Sequence, residues 1–306
     1  AVIDIGSNSV KLLVANVRGP VVDPLLETGT QTRLGEGFFQ SRRLQPAAIE
    51  RTAHAVASFI ADARRFNPAR LRVIATAAAR EALNQAEFLD TVRAVAQTEV
   101  EIIPGPVEAD LAFRGVCTFP DLAAASLLVA DVGGGSTELI LGTAGHRRLA
   151  HSFPLGAVRL MEDLRITADP DPSELPRCRA HLDAWIELHV LPAMGPSWPG
   201  PEGGHPVFVG VGGTASVLAC MTLALADYDR ARIDATRLER TRLEEWTERL
   251  WALPLADRRR IPGLPPERAD VILTGAAIYE ALLRAFDLPA VRPSTRGLRF
   301  AALLDP

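Results

Sequence analysis

The chain has 306 residues, 48% of them hydrophobic, enough for two ordinary cores, and every apolar run is broken by polar residues too soon for a transmembrane span. Thirty-three basic against 37 acidic residues leave a formal net charge of −4, which excludes a surface built to coat nucleic acid but leaves room for an anionic small substrate at a local site. Cys117, Cys178 and Cys220 are far apart and form no CxxC pair, so neither a disulfide framework nor a zinc knuckle is expected.

The apolar residues around Val2 are interrupted by Asp4, Ser7, Asn8 and Lys11, too early for a signal-peptide core, and a cytoplasmic location with no membrane attachment is expected. The first segment, Asp4-Ile-Gly-Ser-Asn-Ser-Val-Lys-Leu-Leu-Val-Ala15, reads as strand, tight polar turn, strand. Ile49, Ala53, Val56, Ala57 and Ile60 fall at helical spacing within Pro46–Phe66, with a proline in the first turn. A strand over Leu71–Ala75, a helix over Glu87–Ala96, a strand over Val100–Ile103 and a helix over Val107–Val116 follow. The Pro120-Asp121 break places a domain boundary between Cys117 and Ala124, dividing the chain into 1–120 and 121–306.

The second part begins with a strand over Ser126–Ala130 and then Asp131-Val-Gly-Gly-Gly-Ser-Thr-Glu-Leu-Ile-Leu-Gly142. This segment echoes the first hairpin at a constant offset of 127, the signature of two α/β domains of like topology. A third strand over Leu149–Phe153, a loop over Ala168–Pro176, a helix over Leu182–Leu191 and a Pro/Gly-rich loop over Pro192–Pro206 come next. The buried strand Val207–Val211 runs into Gly212-Gly213-Thr214 and a helix, and further helices are expected over Thr236–Leu250 and Glu267–Phe286.

Three turns share one design: Gly6-Ser7-Asn8-Ser9, Gly133-Gly134-Gly135-Ser136-Thr137 and Gly212-Gly213-Thr214. Glycine permits close approach of the backbone, and exposed amides with Ser/Thr hydroxyls suit phosphoryl oxygens. None matches the GxxxxGK[ST] loop or a strand–GxGxxG–helix signature, which argues against a P-loop NTPase and a Rossmann oxidoreductase. Asp4 and Asp131 each close an apolar strand, where a carboxylate is costly unless paired or ligated. Each either accepts amides of its own turn or holds Mg²⁺ against phosphate, because Mg²⁺ takes hard oxygen ligands and commonly keeps only one or two protein carboxylates.

These segments, in this order, resemble the exopolyphosphatase/guanosine pentaphosphate phosphohydrolase (Ppx/GppA) family. Asp4–Lys11 looks like its first phosphate motif and Asp131–Glu138 like its second. Thr76-Ala-Ala-Ala-Arg80-Glu-Ala-Leu-Asn84, Ile102–Leu111, Ser152–Leu160, Gly210–Thr214 and Gly297-Leu-Arg299 continue the series. The resemblance implies the fold of actin, Hsp70 and sugar kinases: two ribonuclease H-like α/β domains, mixed sheets flanked by helices, an active site in the interdomain cleft, and the short two-domain form. It places Glu108 on the family's catalytic glutamate, with Val107 and Pro104 departing from the usual glutamate and serine. Gly297-Leu-Arg299-Phe-Ala lacks the common Glu-Gly ending.

The resemblance implies hydrolysis of the terminal phosphoanhydride of inorganic polyphosphate, with Glu108 as general base for water. Asp131 and Asp4 are expected to hold Mg²⁺. Gly6, Ser7, Asn8, Ser9, Gly133, Gly134, Gly135, Ser136, Thr137, Gly212, Gly213 and Thr214 are expected to bind phosphate, with Arg80, Lys11, Arg33 and Arg159 as clamps. Guanosine pentaphosphate is the alternative substrate, a polyphosphate- or alarmone-binding sensor the alternative class, and a sugar or acetate kinase is disfavoured by Glu108. A homodimer is implied by the resemblance alone.

Overall fold

The computed structural model describes residues 1–195, 198 and 205–305. The chain divides into two units, Ala1–Thr118 with Arg296–Pro306, and Phe119–Thr295.

Unit 1 is built on a five-stranded sheet of order β3-β2-β1-β4-β5, with β1 Val2–Ile5, β2 Ser9–Arg18, β3 Val21–Gln31, β4 Arg72–Ala75 and β5 Glu101–Ile102. β1 pairs antiparallel with β2 and parallel with β4, so β1 sits at the centre. Strand side chains alternate between faces. Ile3, Ile5, Val10, Leu12 and Val14 meet Ile49, Ala53, Val56 and Ile60 of the helix Pro46–Arg64, which therefore forms where its apolar spacing predicts. Val2 and Ile74, on the opposite face, meet Leu111 of the helix Gly105–Cys117 and Leu298, Ala301 and Ala302 of the helix Leu298–Leu304.

That last contact corrects the division expected at 120/121. The break falls between Thr118 and Phe119, and the C-terminal residues belong to unit 1. Their apolar face is buried on the first sheet, and Gly115 allows the backbone of Gly297 to approach so closely that a Cβ there would overlap it.

Unit 2 repeats the plan. Its sheet has the order β10-β11-β9-β6-β7-β8, with β6 Ser126–Val132, β7 Thr137–Thr143, β8 His146–Phe153, β9 Val207–Val211, β10 Leu238–Glu239 and β11 Ala290–Pro293. β6 is antiparallel to β7 and parallel to β9, matching β1 between β2 and β4. Its core includes Trp251 and Tyr279, and the Tyr279 hydroxyl lies 3.1 Å from the carbonyls of both Ala130 and Val211, tying the ends of β6 and β9. Burial and the nearby Asp131 raise that hydroxyl's pKa well above its usual value, so it serves as a donor.

Several expected elements are shorter or divided. Val100–Ile103 contributes only the two residues of β5 to the sheet. Thr236–Leu250 splits into β10 and the helix Arg240–Ala252, and Glu267–Phe286 into a 3₁₀ turn at Pro266–Arg268 and the helix Ile272–Ala285. Within Ala168–Pro176 the helix Glu174–Trp185 already begins, and it passes through a π turn at Ile186–Val190 into the helix Leu191–Met194. The Pro192–Pro206 loop is thus helical at its start, and residues 196–197 and 199–204 lie outside the described residues. The three cysteines are free thiols, and no helix among the described residues is long and apolar enough to cross a membrane.

Candidate active site

In unit 2 the turn between β6 and β7 is closed by the Gly133 amide donating to the Ser136 carbonyl at 2.9 Å. The carbonyls of Gly133 and Gly134 then accept the amides of Ala157, Val158 and Arg159, at 2.9–3.0 Å, which begin the helix Ala157–Leu164. A trans peptide points its N–H opposite to its C=O. The amides of Gly134 and Gly135 are thereby turned away from this helix, toward the side where a ligand would have to stand. Gly156 makes the docking possible, since a Cβ there would stand 2.5 Å from Gly134 backbone atoms. Arg159 Nε donates to the Gly135 carbonyl at 2.7 Å, and Thr137 Oγ1 to the Leu155 carbonyl. Both side chains hold the shape of the turn.

The strand register places Glu138 directly opposite Asp131. Glu138 is buried and accepts from Ser152 Oγ at 2.7 Å. Beside Asp131 also lies Gly212, the φ +84° glycine that opens the helix Gly212–Thr222, where a Cβ would stand 2.5 Å from Asp131 Oδ1. On the next residue, Gly213, a Cβ would overlap Nη1 of Arg268. Burial pushes the Arg268 guanidinium's pKa down. A helix N-terminus carries partial positive charge and disfavours a nearby cation. A desolvated guanidinium against that terminus therefore makes a strongly electropositive spot, the environment in which an oxyanion gains most.

In unit 1 the equivalent turn is closed by the Gly6 amide donating to Ser9 at 3.0 Å. Its outer carbonyls, Ser7 and Asn8, accept from Gly35 at 2.7 Å and from Arg33 at 3.0 Å, so a loop takes the place of the helix. Arg33 adopts φ 52° to do this. The same peptide geometry turns the amides of Asn8 and Ser9 away from that loop. Ser7 Oγ is buried and finds no hydrogen-bond partner among the described residues. Opposite Asp4 stands Lys11. Burial raises the pKa of Asp4, while Lys11 and Arg299 pull it down. Arg299 is held by the Leu12 carbonyl at 3.0 Å and Glu27 at 2.6 Å.

Glu108 lies in the first turn of the helix Gly105–Cys117 with 7% exposure. Arg80 Nη1 donates to Glu108 Oε2 at 2.8 Å and to the Ile103 carbonyl at 3.0 Å. The two residues expected as base and phosphate clamp are thus brought together, and Arg80 supplies the counter-charge that a buried carboxylate requires.

Gly212, Gly213 and Asp131 also come together, and Thr214 Oγ1 reaches the Val132 carbonyl at 3.4 Å in the same place. Two residues escaped the sequence reading. Glu138 was legible in principle, because a hairpin closed between Gly133 and Ser136 must set it across from Asp131. Arg268 had no local signal: it follows the Pro265-Pro266 turn 55 positions beyond Gly213 and meets it only through tertiary packing. Among the described residues no group of three or more His, Cys, Asp or Glu is placed to hold a metal; Asp131 and Glu138 are hard oxygen donors of the kind Mg²⁺ accepts.

Two units of the ribonuclease H-like plan, each a mixed sheet flanked by helices with an aspartate hairpin at its central strand, define the actin/Hsp70/sugar-kinase class of fold. The model of the Ppx/GppA phosphatase family matches residues 13–305, and the chain belongs to that family. It is 34% identical to Exopolyphosphatase 2 of Mycobacterium tuberculosis, over 93% of this chain and 89% of that protein. It is 31% identical to Exopolyphosphatase 1 of Mycobacterium leprae, over 99% of this chain and 88% of that one. Among solved structures it is similar to the Aquifex aeolicus PPX-GPPA enzyme, with TM-score 0.78 and 29% identity over 99% of this chain and 97% of that one.

Proposed function

We propose that the protein is an exopolyphosphatase, which removes the terminal phosphoryl group of inorganic polyphosphate as orthophosphate. The observation that carries this reading is the pairing of Asp131 and Arg268 on the adjacent glycines Gly212 and Gly213 at a helix N-terminus. A carboxylate suited to a divalent cation and a guanidinium suited to phosphoryl oxygens occupy neighbouring positions, as a metal-bridged phosphate chain requires.

Asp131 and Glu138 would hold Mg²⁺, which supplies charge neutralisation to the terminal phosphates when bound. Arg268 and the amides of Gly134, Gly135, Gly212 and Gly213 bind the phosphoryl oxygens and stabilise charge as it shifts to the leaving oxygen. Thr137 and Arg159 keep the second turn in shape for this, and Ser136 and Thr214 are its hydroxyl neighbours. In unit 1, Gly6, Ser7, Asn8 and Ser9 offer a second set of donors. Glu108 orients a water and takes its proton during in-line attack, with Arg80 holding the carboxylate and available to a phosphoryl oxygen. Lys11 and Arg299 offset part of the burial of Asp4, which supports a structural part for Asp4 over a metal-binding one.

The test is phosphate release from polyphosphates of defined length, from guanosine pentaphosphate and from ATP, each with and without Mg²⁺. Release from polyphosphate that depends on Mg²⁺ is expected. Release from the nucleotide alone would move the assignment to the pentaphosphate phosphohydrolase, and binding without release would leave a sensor.

A further inference from the structure

Arg258 is a fully buried arginine, and its fork is spent on backbone carbonyls of three separate segments. Nε donates to Leu253 at 3.1 Å, Nη1 to Ala269 at 2.7 Å and Nη2 to Ala168. Its carboxylate neighbour is Asp169, at 3.5 Å and largely exposed, which also accepts the Leu255 amide. Burying a charge is expensive even beside one exposed carboxylate, and a well-packed apolar side chain of similar volume is often the more stable choice at such a position. The arginine is therefore better explained by what it holds than by stability.

What it holds is the segment that carries Arg268. The carbonyl gripped by Nη1 belongs to Ala269, the next residue, which is itself fully buried. Five residues before Arg268 the same segment is pressed on the far end of the helix Gly212–Thr222: Gly263, at φ +83°, approaches the Cys220 carbonyl so closely that a Cβ would overlap it. The segment thus runs back along this helix from Cys220 to Gly213, seven residues or about 10 Å of axis, and delivers the Arg268 guanidinium to the N-terminal glycine. A planar guanidinium can reach three carbonyls in fixed directions, which an ammonium on a flexible stem cannot.

We propose that Arg258 is a positioning residue of the phosphate site: by fixing the Ala269 carbonyl, its fork holds Arg268 over Gly213. The proposal rests on the reading that Arg268 binds phosphate. The experiment is a double-mutant cycle with Arg258→Lys and Arg268→Gln, reading tripolyphosphate affinity by calorimetry beside thermal stability and phosphate release. Arg258→Lys is expected to weaken tripolyphosphate binding about tenfold, and the double variant to bind no more weakly than Arg268→Gln alone.

Losses that multiply in the double variant, or an Arg258→Lys protein less stable but unchanged in affinity, would overturn the proposal. Should Arg258→Lys fail to fold, Asp169→Ala loosens the same anchor from its exposed side. A smaller loss of affinity, absent in the Arg268→Gln background, is then expected, and unchanged affinity overturns it. A wild-type protein that binds tripolyphosphate without cleaving it sinks the hydrolase reading but leaves the cycle decisive. One that does not bind tripolyphosphate at all sinks both.

Discussion

The two hairpins are copies in backbone and opposites in chemistry. Both turns close with an amide-to-carbonyl bond across three residues, at 3.0 Å in unit 1 and 2.9 Å in unit 2, and both set their aspartate at the same register point. Across from Asp4, however, stands Lys11, and across from Asp131 stands Glu138. One pair joins opposite charges, whereas the other sets two carboxylates side by side. The central parallel strands also lead to different ends: β4 into the short helix Ala77–Glu81 bearing Arg80, β9 into the glycine-headed helix beside Arg268. Duplication supplies two cradles of the same shape, and single side chains across a strand pair then give them separate work.

The largest effect should come from the base. Glu108→Gln is expected to lower turnover about 10³-fold while leaving tripolyphosphate affinity within about threefold, read by phosphate release and calorimetry. Full turnover in this variant would remove Glu108 from the chemistry. Next comes the contrast between the aspartates themselves. Asp131→Asn is expected to cost about 100-fold in kcat/KM at fixed Mg²⁺ and to raise the Mg²⁺ concentration for half-maximal rate. Asp4→Asn should change that concentration by about twofold at most, because its partners are cations that need no metal between them. Equal Mg²⁺ shifts in both variants would break the division of labour.

How much of this was legible in sequence follows from the range of the interactions. The hairpins are local: their closing bonds span three residues, so the twelve-residue echo at offset 127 carried both turns and the register of both aspartates. Glu108 and Arg80 were readable one by one through family resemblance, but their 2.8 Å contact joins residues 28 apart on two helices. β5 and β10 are two residues long, too short for alternation to register, and β10 merged with the helix that follows it. The C-terminal residues fall with the second domain in the sequence division because nothing local in them names a partner; apolar contacts with Val2, Ile74 and Leu111 and the close approach of Gly115 and Gly297 bring them to the first sheet. Arg268 was invisible for the same reason, since its placement depends on Gly263 and Arg258 holding a loop that has no periodicity of its own.

Two glycines separate shape from charge in the second cradle. Gly156→Ala brings a Cβ to 2.5 Å from the Gly134 backbone, which cannot move without distorting the turn. A loss of about 1–3 kcal/mol in unfolding free energy is expected, read by denaturant titration. At Gly213 the obstacle is the far end of the Arg268 side chain. Gly213→Ala should therefore fold normally and raise KM for polyphosphate about tenfold, the signature of a displaced guanidinium. A stable Gly213→Ala enzyme with unchanged KM would mean that Arg268 does not contact the substrate.

The smallest effect tests the first cradle through its own electrostatics. Burial raises the pKa of Asp4, the two cations Lys11 and Arg299 opposing it. The folded protein therefore holds this proton more tightly than the unfolded chain, so the contribution of Asp4 to stability is fully present below the unfolded pKa near 4 and is lost as pH rises through the folded value. Asparagine mimics the protonated form at every pH. Asp4→Asn should melt about 3 °C above the wild type at neutral pH, and the gap should close as the pH approaches 4. A gap that does not vary with pH, followed by calorimetry, would mean that Lys11 and Arg299 offset the burial completely.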